Sequence, residues 1–284
     1  MSNESKSEAA ILAFLTEPEP SRGVALPVAP GVRRIVACNP SVMTYHGTNT
    51  YLIDEPDGLT VVDPGPDDQA HVEAIMRVTG GRIERILITH THGDHVGAAA
   101  ALRKRSGAPV TAYMLSADPA FQPDLGLSHG EQIGTLQALY TPGHAADHLC
   151  FARADGIVFT GDHVMGWNSS VVSPPPRGNM AAYIESLKLL LDHGGQLYLP
   201  GHGPSLPQPT EMVRDLIQHR LAREAAIIGA LKMRPLKAEE IVQALYNKTD
   251  PVLKRAAERN VTAHLVKLVS EGRAVEEGDM WRAI

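Results

Sequence analysis

The run Thr89-His-Thr-His-Gly-Asp-His-Val-Gly97 constrains this chain more than any other feature. It follows Arg85-Ile-Leu-Ile88, a β-branched apolar stretch that reads as a buried strand. Side chains two apart on an extended segment project the same way, so His90 and His92 can reach one ion. Gly93 lets the chain turn, and Asp94 and His95 then open a helix carrying one oxygen and one nitrogen donor. Three histidines and an aspartate within six positions at a strand-to-helix junction point to metal binding, because imidazole is the commonest protein metal ligand.

Three further motifs follow, each at the end of an expected strand: Thr141-Pro-Gly-His144, Phe159-Thr-Gly-Asp162 and Leu199-Pro-Gly-His-Gly203. Each ligand candidate stands beside a glycine, which permits a tight turn. Residues at one edge of a sheet converge on one cleft. The set fits two divalent ions, with His90, His92 and His144 on one, Asp94, His95 and His202 on the other, and Asp162 bridging through its two oxygens. The chain holds thirteen histidines and only these five carry the argument. His148 is expected to be a buried structural residue and His163 to point away from the cleft. The two cysteines, Cys38 and Cys150, lie outside every motif, which excludes a disulfide framework and a four-cysteine zinc site.

Along the chain, 33–38, 50–54, 59–63, 85–89, 109–113, 133–141, 148–153, 157–162 and 196–200 read as strands. Helices are expected over 67–78, 94–105 and 179–191. This is an α/β pattern. The segment 206–210 reads as a linker, followed by a helix from Thr210 to about Leu231. Stretches 235–246, 250–260 and 261–272 then read as three short helices and 273–284 as a hairpin, the layout of a winged helix. The division is thus an N-terminal extension over 1–23, a catalytic domain over 24–208 and a winged-helix-like domain over 209–284. A short amphipathic helix is expected near 9–15. The acidic residues ahead of it argue against a secretory signal, and no apolar run is long enough to span a membrane, so a cytoplasmic protein is expected.

The order His90/His92/Asp94/His95, His144, Asp162, His202 resembles the metallo-β-lactamase-fold superfamily over about 25–205. Together with Gly47-Thr-Asn-Thr-Tyr51, Thr141-Pro-Gly-His-Ala-Ala-Asp-His148, His219-Arg-Leu-Ala-Arg-Glu224 and the winged-helix tail, it resembles the branch that includes a mitochondrial single-strand endoribonuclease. Bridging Asp162 and the lack of a cysteine ligand are similar to the glyoxalase II and RNA-processing types. The resemblance implies a four-layer αββα sandwich with a C-terminal winged-helix domain and a dinuclear site at one edge. It also places Asn49 near that site.

Nitrogen and oxygen donors suit zinc, and manganese or iron also. The expected chemistry is hydrolysis in which a metal-bridging hydroxide attacks the carbonyl centre of a small ester, thioester, lactam or lactone, with promiscuous β-lactamase activity. Asp94 is the candidate catalytic residue beside its ligand role. Asp63, ending the strand 59–63, is the candidate support for a ligand imidazole. Trp167, Asn168 and Asn49 are candidates for substrate binding. Two other functions are carried: a phosphodiesterase cutting single-stranded RNA with the winged helix as binding module, and a winged-helix nucleic-acid-binding regulator. The tail is weakly basic, and Arg255, Arg259, Lys267 and Arg273 could form a basic face. The cluster His219, Arg220, Arg223 and Glu224 could bind the sandwich or lean over the cleft, so a lid or a homodimer surface is an equal reading of the tail.

Overall fold

The computed structural model describes residues 12–247 and 253–284. Seven strands pair in chain order into a first sheet: β1 (Leu26–Ala29), β2 (Val32–Val36), β3 (Asn49–Glu55), β4 (Gly58–Val62), β5 (Arg85–Leu87), β6 (Val110–Tyr113) and β7 (Leu125–Leu127). The first four are antiparallel and the last three add in parallel. Parallel pairing needs crossovers. Helix α1 (Gln69–Thr79) supplies the first, and α2 (Gly93–Val96) with α3 (Ala99–Ser106) supplies the second. Asp68 caps α1 through the amide of Ala70, and Gly80 ends it in the left-handed conformation.

The second sheet is built from β8 (Gln132–Ile133), β9 (Leu136–Tyr140), β10 (Leu149–Arg153), β11 (Ile157–Gly161), β12 (Leu197–Pro200) and β13 (Leu206–Pro207), also in chain order. Helix α4 (Met180–His193), capped by Asn179, makes the crossover between the parallel strands β11 and β12.

The layers follow from the two-residue period of the strands. On β10, Leu149 and Phe151 face the first sheet, packing with Tyr51, Ile53, Val62 and Leu87, whereas Cys150 and Ala152 face α4. On the first sheet, Leu52, Val61 and Ile86 face outward onto Val72 and Ile75 of α1 and Leu102 of α3. Helix, sheet, sheet and helix give the expected αββα sandwich. Each fully buried Leu, Ile or Phe contributes about 1.5–3 kcal/mol.

Helix α5 (Thr210–Met233) belongs to two cores. Met212, Val213, Leu216 and Ile217 pack with α4, while Ile227 and Leu231 pack with α6 (Ala238–Leu245), α7 (Lys254–Ser270) and Trp281. The hairpin β14 (Ala274–Glu277) and β15 (Met280–Ala283) completes the winged helix. No helix of the described residues is long and apolar enough to cross a membrane.

Several elements differ from expectation. The helix expected over 94–105 breaks at Gly97-Ala98, because the Ala98 amide donates to Gly65 O at 2.9 Å rather than up its own helix. The stretches 250–260 and 261–272 form one helix, α7, from Lys254 onward, and 250–252 lie outside the described residues. Nothing at Asn260-Val261 stops it, and Val261 is buried in its apolar face. The linker begins with β13, whose Pro207 pairs with Leu197. Of the helix expected near 9–15, residues 12–15 are not helical and 9–11 lie outside the described residues; Leu15 N donates to Gly166 O at 2.8 Å. The basic face is half neutralised, since Lys267 and Arg273 both pair with Glu224 and Glu271.

Candidate metal centre

Strand β5 stops at Leu87 and the chain bends at Thr89, whose carbonyl accepts from Leu149 N of the second sheet at 2.7 Å. The first sheet's strand end therefore reaches across to the second sheet and carries His90 and His92 to the edge between them. Helix α2 begins there with Asp94 and His95. The second sheet contributes His144 from the turn after β9, Asp162 from the end of β11 and His202 from the end of β12. Gly201 N bonds Gly161 O at 2.8 Å and Gly201 O accepts from Asn49 N at 2.7 Å, which locks the His202 turn between the sheets.

All seven side chains converge. His90 Nε2 and His144 Nε2 lie 2.8 and 3.0 Å from His92 Nδ1. His202 Nε2 lies 3.3 Å from His95 Nε2 and 3.2 Å from Asp94 Oδ2. Asp162 stands between these groups: Oδ1 is 3.4 Å from both His95 Nε2 and His202 Nε2, and Oδ2 is 3.7 Å from His144 Nε2. His90/His92/His144, His90/His95/Asp162 and Asp94/His95/His202 are each close enough to hold one ion.

The rear nitrogens fix the tautomers. Asp63 Oδ2 accepts from His95 Nδ1 at 2.8 Å and from Thr89 Oγ1 at 2.7 Å. Because Thr89 gives its proton to Asp63, its oxygen accepts from His90 Nδ1 at 3.0 Å. The carbonyls of Val171 and Gly47 take the Nδ1 protons of His144 and His202 at 2.7 and 3.3 Å. Each of these imidazoles thus turns its Nε2 into the cluster.

Electrostatics divide the cluster. Burial pushes His90 well below the ordinary histidine range, helped by the neighbouring imidazoles. Burial opposes a charge on His202 as well, but Asp162 and Asp94 overcome it and raise the pKa to about 9. His95 is raised by Asp162, Asp94 and Asp63 against the same burial. Burial would raise Asp162, yet His202 and His95 hold it well below the carboxylate range. A divalent cation fits this donor set: Asp162 Oδ1 is buried with no hydrogen-bond partner, facing the imidazole nitrogens of His95 and His202. Nitrogen and carboxylate oxygen at these positions are the donors such ions take.

The other expected residues fall as follows. Asn49 is 1% exposed and its amide nitrogen donates to Pro200 O and Gly203 O at 2.8 and 2.9 Å, so it buttresses the His202 turn and is not on a substrate wall. Trp167 is half-buried, 5.0 Å from the Tyr45 ring and packed on Gly203. Asn168 is half-buried and caps its own loop at Ser169 N. His148 is buried, bonded to Thr141 Oγ1 at 3.0 Å and stacked on His90. His163 is buried against Tyr183. Sequence reasoning missed Thr89 as the link between Asp63 and His90, although a threonine beside a ligand histidine is a visible cue. It also missed the Val171 carbonyl, for which no sequence signal exists.

The metallo-beta-lactamase superfamily model matches residues 43–202, and that of the beta-lactamase associated winged helix domain matches 238–281. A protein of Drosophila melanogaster called beta-lactamase-like protein 2 homolog is 32% identical over 267 residues, covering 85% of this chain and 89% of that protein. An atrochrysone carboxyl ACP thioesterase of Aspergillus chevalieri is 31% identical over 270 residues, 88% of this chain and 84% of its own. The crystal structure of a beta-lactamase domain protein from Burkholderia ambifaria superposes with a TM-score of 0.82 at 25% identity, covering 93% of this chain and 95% of that one.

Proposed function

The chain belongs to the metallo-beta-lactamase superfamily of metal-dependent hydrolases, and from that premise we propose that it is a dinuclear enzyme acting on the carbonyl of an ester, thioester, lactam or lactone. The observation that carries this reading is Asp162, whose two oxygens face different imidazole groups. His90, His92 and His144 would hold one ion and Asp94, His95 and His202 the other, with Asp162 shared. We take the ions to be zinc on the number of imidazoles, with manganese or iron the alternatives. Once bound, such a pair supplies an acidified water and polarises the substrate's carbonyl oxygen.

The chain's own residues do the rest. Asp94, with a side chain 31% exposed at the mouth, stays ionised because His95 and His202 outweigh its burial. It would therefore orient the attacking water by accepting its hydrogen bond. Asp63, through His95 and Thr89, holds donors of both ions in one tautomer. Trp167 offers an apolar ring beside the His202 turn, and with Asn168 it would line the substrate's path. A thioester is the favoured member of the class, because a relative matched over most of both chains is named as an acyl-carrier-protein thioesterase.

A panel of thioesters, esters, lactones, lactams and single-stranded RNA, run with zinc and with manganese, tests the reading. Turnover of the carbonyl substrates, thioesters foremost, is expected. Cleavage of RNA alone, with salt-sensitive binding, would replace it with the nuclease reading.

A further inference from the structure

A buried polar seam joins the tail to the sandwich. Arg220, on α5, is 2% exposed, and its guanidinium is aimed at neutral partners: the Ser170 carbonyl, Asn260 Oδ1 at 3.4 Å and the face of the Tyr183 ring at 5.2 Å. Burying a charge against neutral groups is costly, so the placement needs a reason. Asn260, on α7, accepts from Val172 N at 2.9 Å. The tail thus grips Ser170 and Val172. The residue between them, Val171, turns its carbonyl onto His144 Nδ1 at 2.7 Å. Ser170 itself donates through Oγ to the carbonyl of Asp162 at 2.5 Å. One three-residue segment therefore fixes both His144 and Asp162, and two side chains of the tail clamp that segment from either end.

We propose that Arg220 and Asn260 are positioning residues of the metal centre, through which the winged-helix region sets the geometry of His144 and Asp162. The proposal rests on the dinuclear reading above. Neither residue touches a donor atom. Their action passes through the backbone of 170–172, the kind of outer support whose loss weakens a metal site. A purely adhesive role would differ in kind: its loss would loosen the tail and lower stability, yet leave the affinity and geometry of a bound ion unchanged.

The test uses the full chain, with Arg220→Ala, Arg220→Lys and Asn260→Ala beside His92→Ala. Metal affinity is read by chelator competition, ligand geometry by the visible absorption of the cobalt-loaded protein, and folding by circular dichroism of the metal-free forms. Arg220→Ala and Asn260→Ala are expected to bind about 10-fold more weakly or worse, with a changed cobalt spectrum. Arg220→Lys, which can still donate to the Ser170 carbonyl, is expected to recover part of the affinity. Wild-type affinity and spectrum in Arg220→Ala and Asn260→Ala would overturn the proposal, whatever their melting temperatures. Should Arg220→Ala fail to fold, Arg220→Lys and Asn260→Ala decide alone. Uptake by the wild type of less than about one ion per chain, or unchanged binding by His92→Ala, is a separate result that withdraws the dinuclear reading and this proposal with it.

Discussion

The Asp63 carboxylate accepts the Nδ1 proton of His95 at 2.8 Å while holding Thr89 through both the amide and the hydroxyl, at 2.8 and 2.7 Å. Through Thr89 it also sets His90, so one carboxylate orients a donor in each cluster. Asp63 adopts a left-handed backbone, φ 51°, which aspartate and asparagine tolerate better than alanine does. Asp63→Asn is therefore the clean substitution. It should lower metal affinity by about 10–100-fold with little change in the circular dichroism of the fold. An unchanged affinity would show that the contact is only structural.

Gly201 lies against the centre. A Cβ there would stand 2.6 Å from Asp162 Oδ1 and 2.6 Å from Cε1 of His95, whose ring Asp63 holds in place. Gly201→Ala should disturb the shared carboxylate and lower the bound metal per chain, measured by elemental analysis after zinc loading. A variant that still binds two ions would mean that the cluster yields more easily than its packing suggests.

The His202 pKa of about 9 gives the metal-free and metal-loaded forms opposite pH behaviour. In the metal-free protein the native state holds this proton more tightly than the unfolded chain, whose histidines titrate near 6.5. Its stabilisation is present below about pH 6.5 and is lost as pH rises through about 9. Metal must displace the same proton, so affinity should rise with pH over that window, by up to about tenfold per unit for each proton released. Denaturant melts of chelator-treated protein and proton release on metal addition measure the two slopes.

Asp162→Asn and His92→Ala should each reduce hydrolysis by at least about 10²–10³-fold, with the sandwich still folded. Loss of the fold together with activity would make Asp162 a structural rather than a chemical requirement.

In the tail, Glu224 is 3% exposed and bonded to Lys267 at 2.7 Å and Arg273 at 2.5 Å. Burial would raise its pKa, but His264, Lys267 and Arg273 bring it down to about 2. Glu224→Gln should cost about 1–3 kcal/mol. In the parent protein this contribution is present above the ordinary glutamate range and is lost as pH falls from about 4.5 towards 2. Urea melts of both proteins across that range provide the check.

The candidate donors stand out in the sequence because His92, Asp94, His144, Asp162 and His202 each stand beside a glycine near the end of an apolar run, where strand period and turn chemistry are both local signals. The alternation that buries Leu149 and Phe151 on one face and Cys150 on the other is local too, and so were most strands. What was not legible depends on register between distant segments. Asn49 is drawn off the cleft by carbonyls 151 and 154 positions away. The helix expected over 94–105 breaks because the Ala98 amide meets the Gly65 carbonyl, 33 positions back along the chain. Arg220 reads as one charge in a basic cluster until the fold brings Ser170 to it, 50 positions back along the chain.

Each sheet is made from one uninterrupted stretch of chain, the first ending at Leu127 and the second opening at Gln132. The donors are divided between them: His90, His92, Asp94 and His95 come with the first, His144, Asp162 and His202 with the second. Neither half emerging from the ribosome can assemble a complete coordination set by itself. On the dinuclear reading, a full complement of ions would therefore mark a chain whose two halves have already closed on each other.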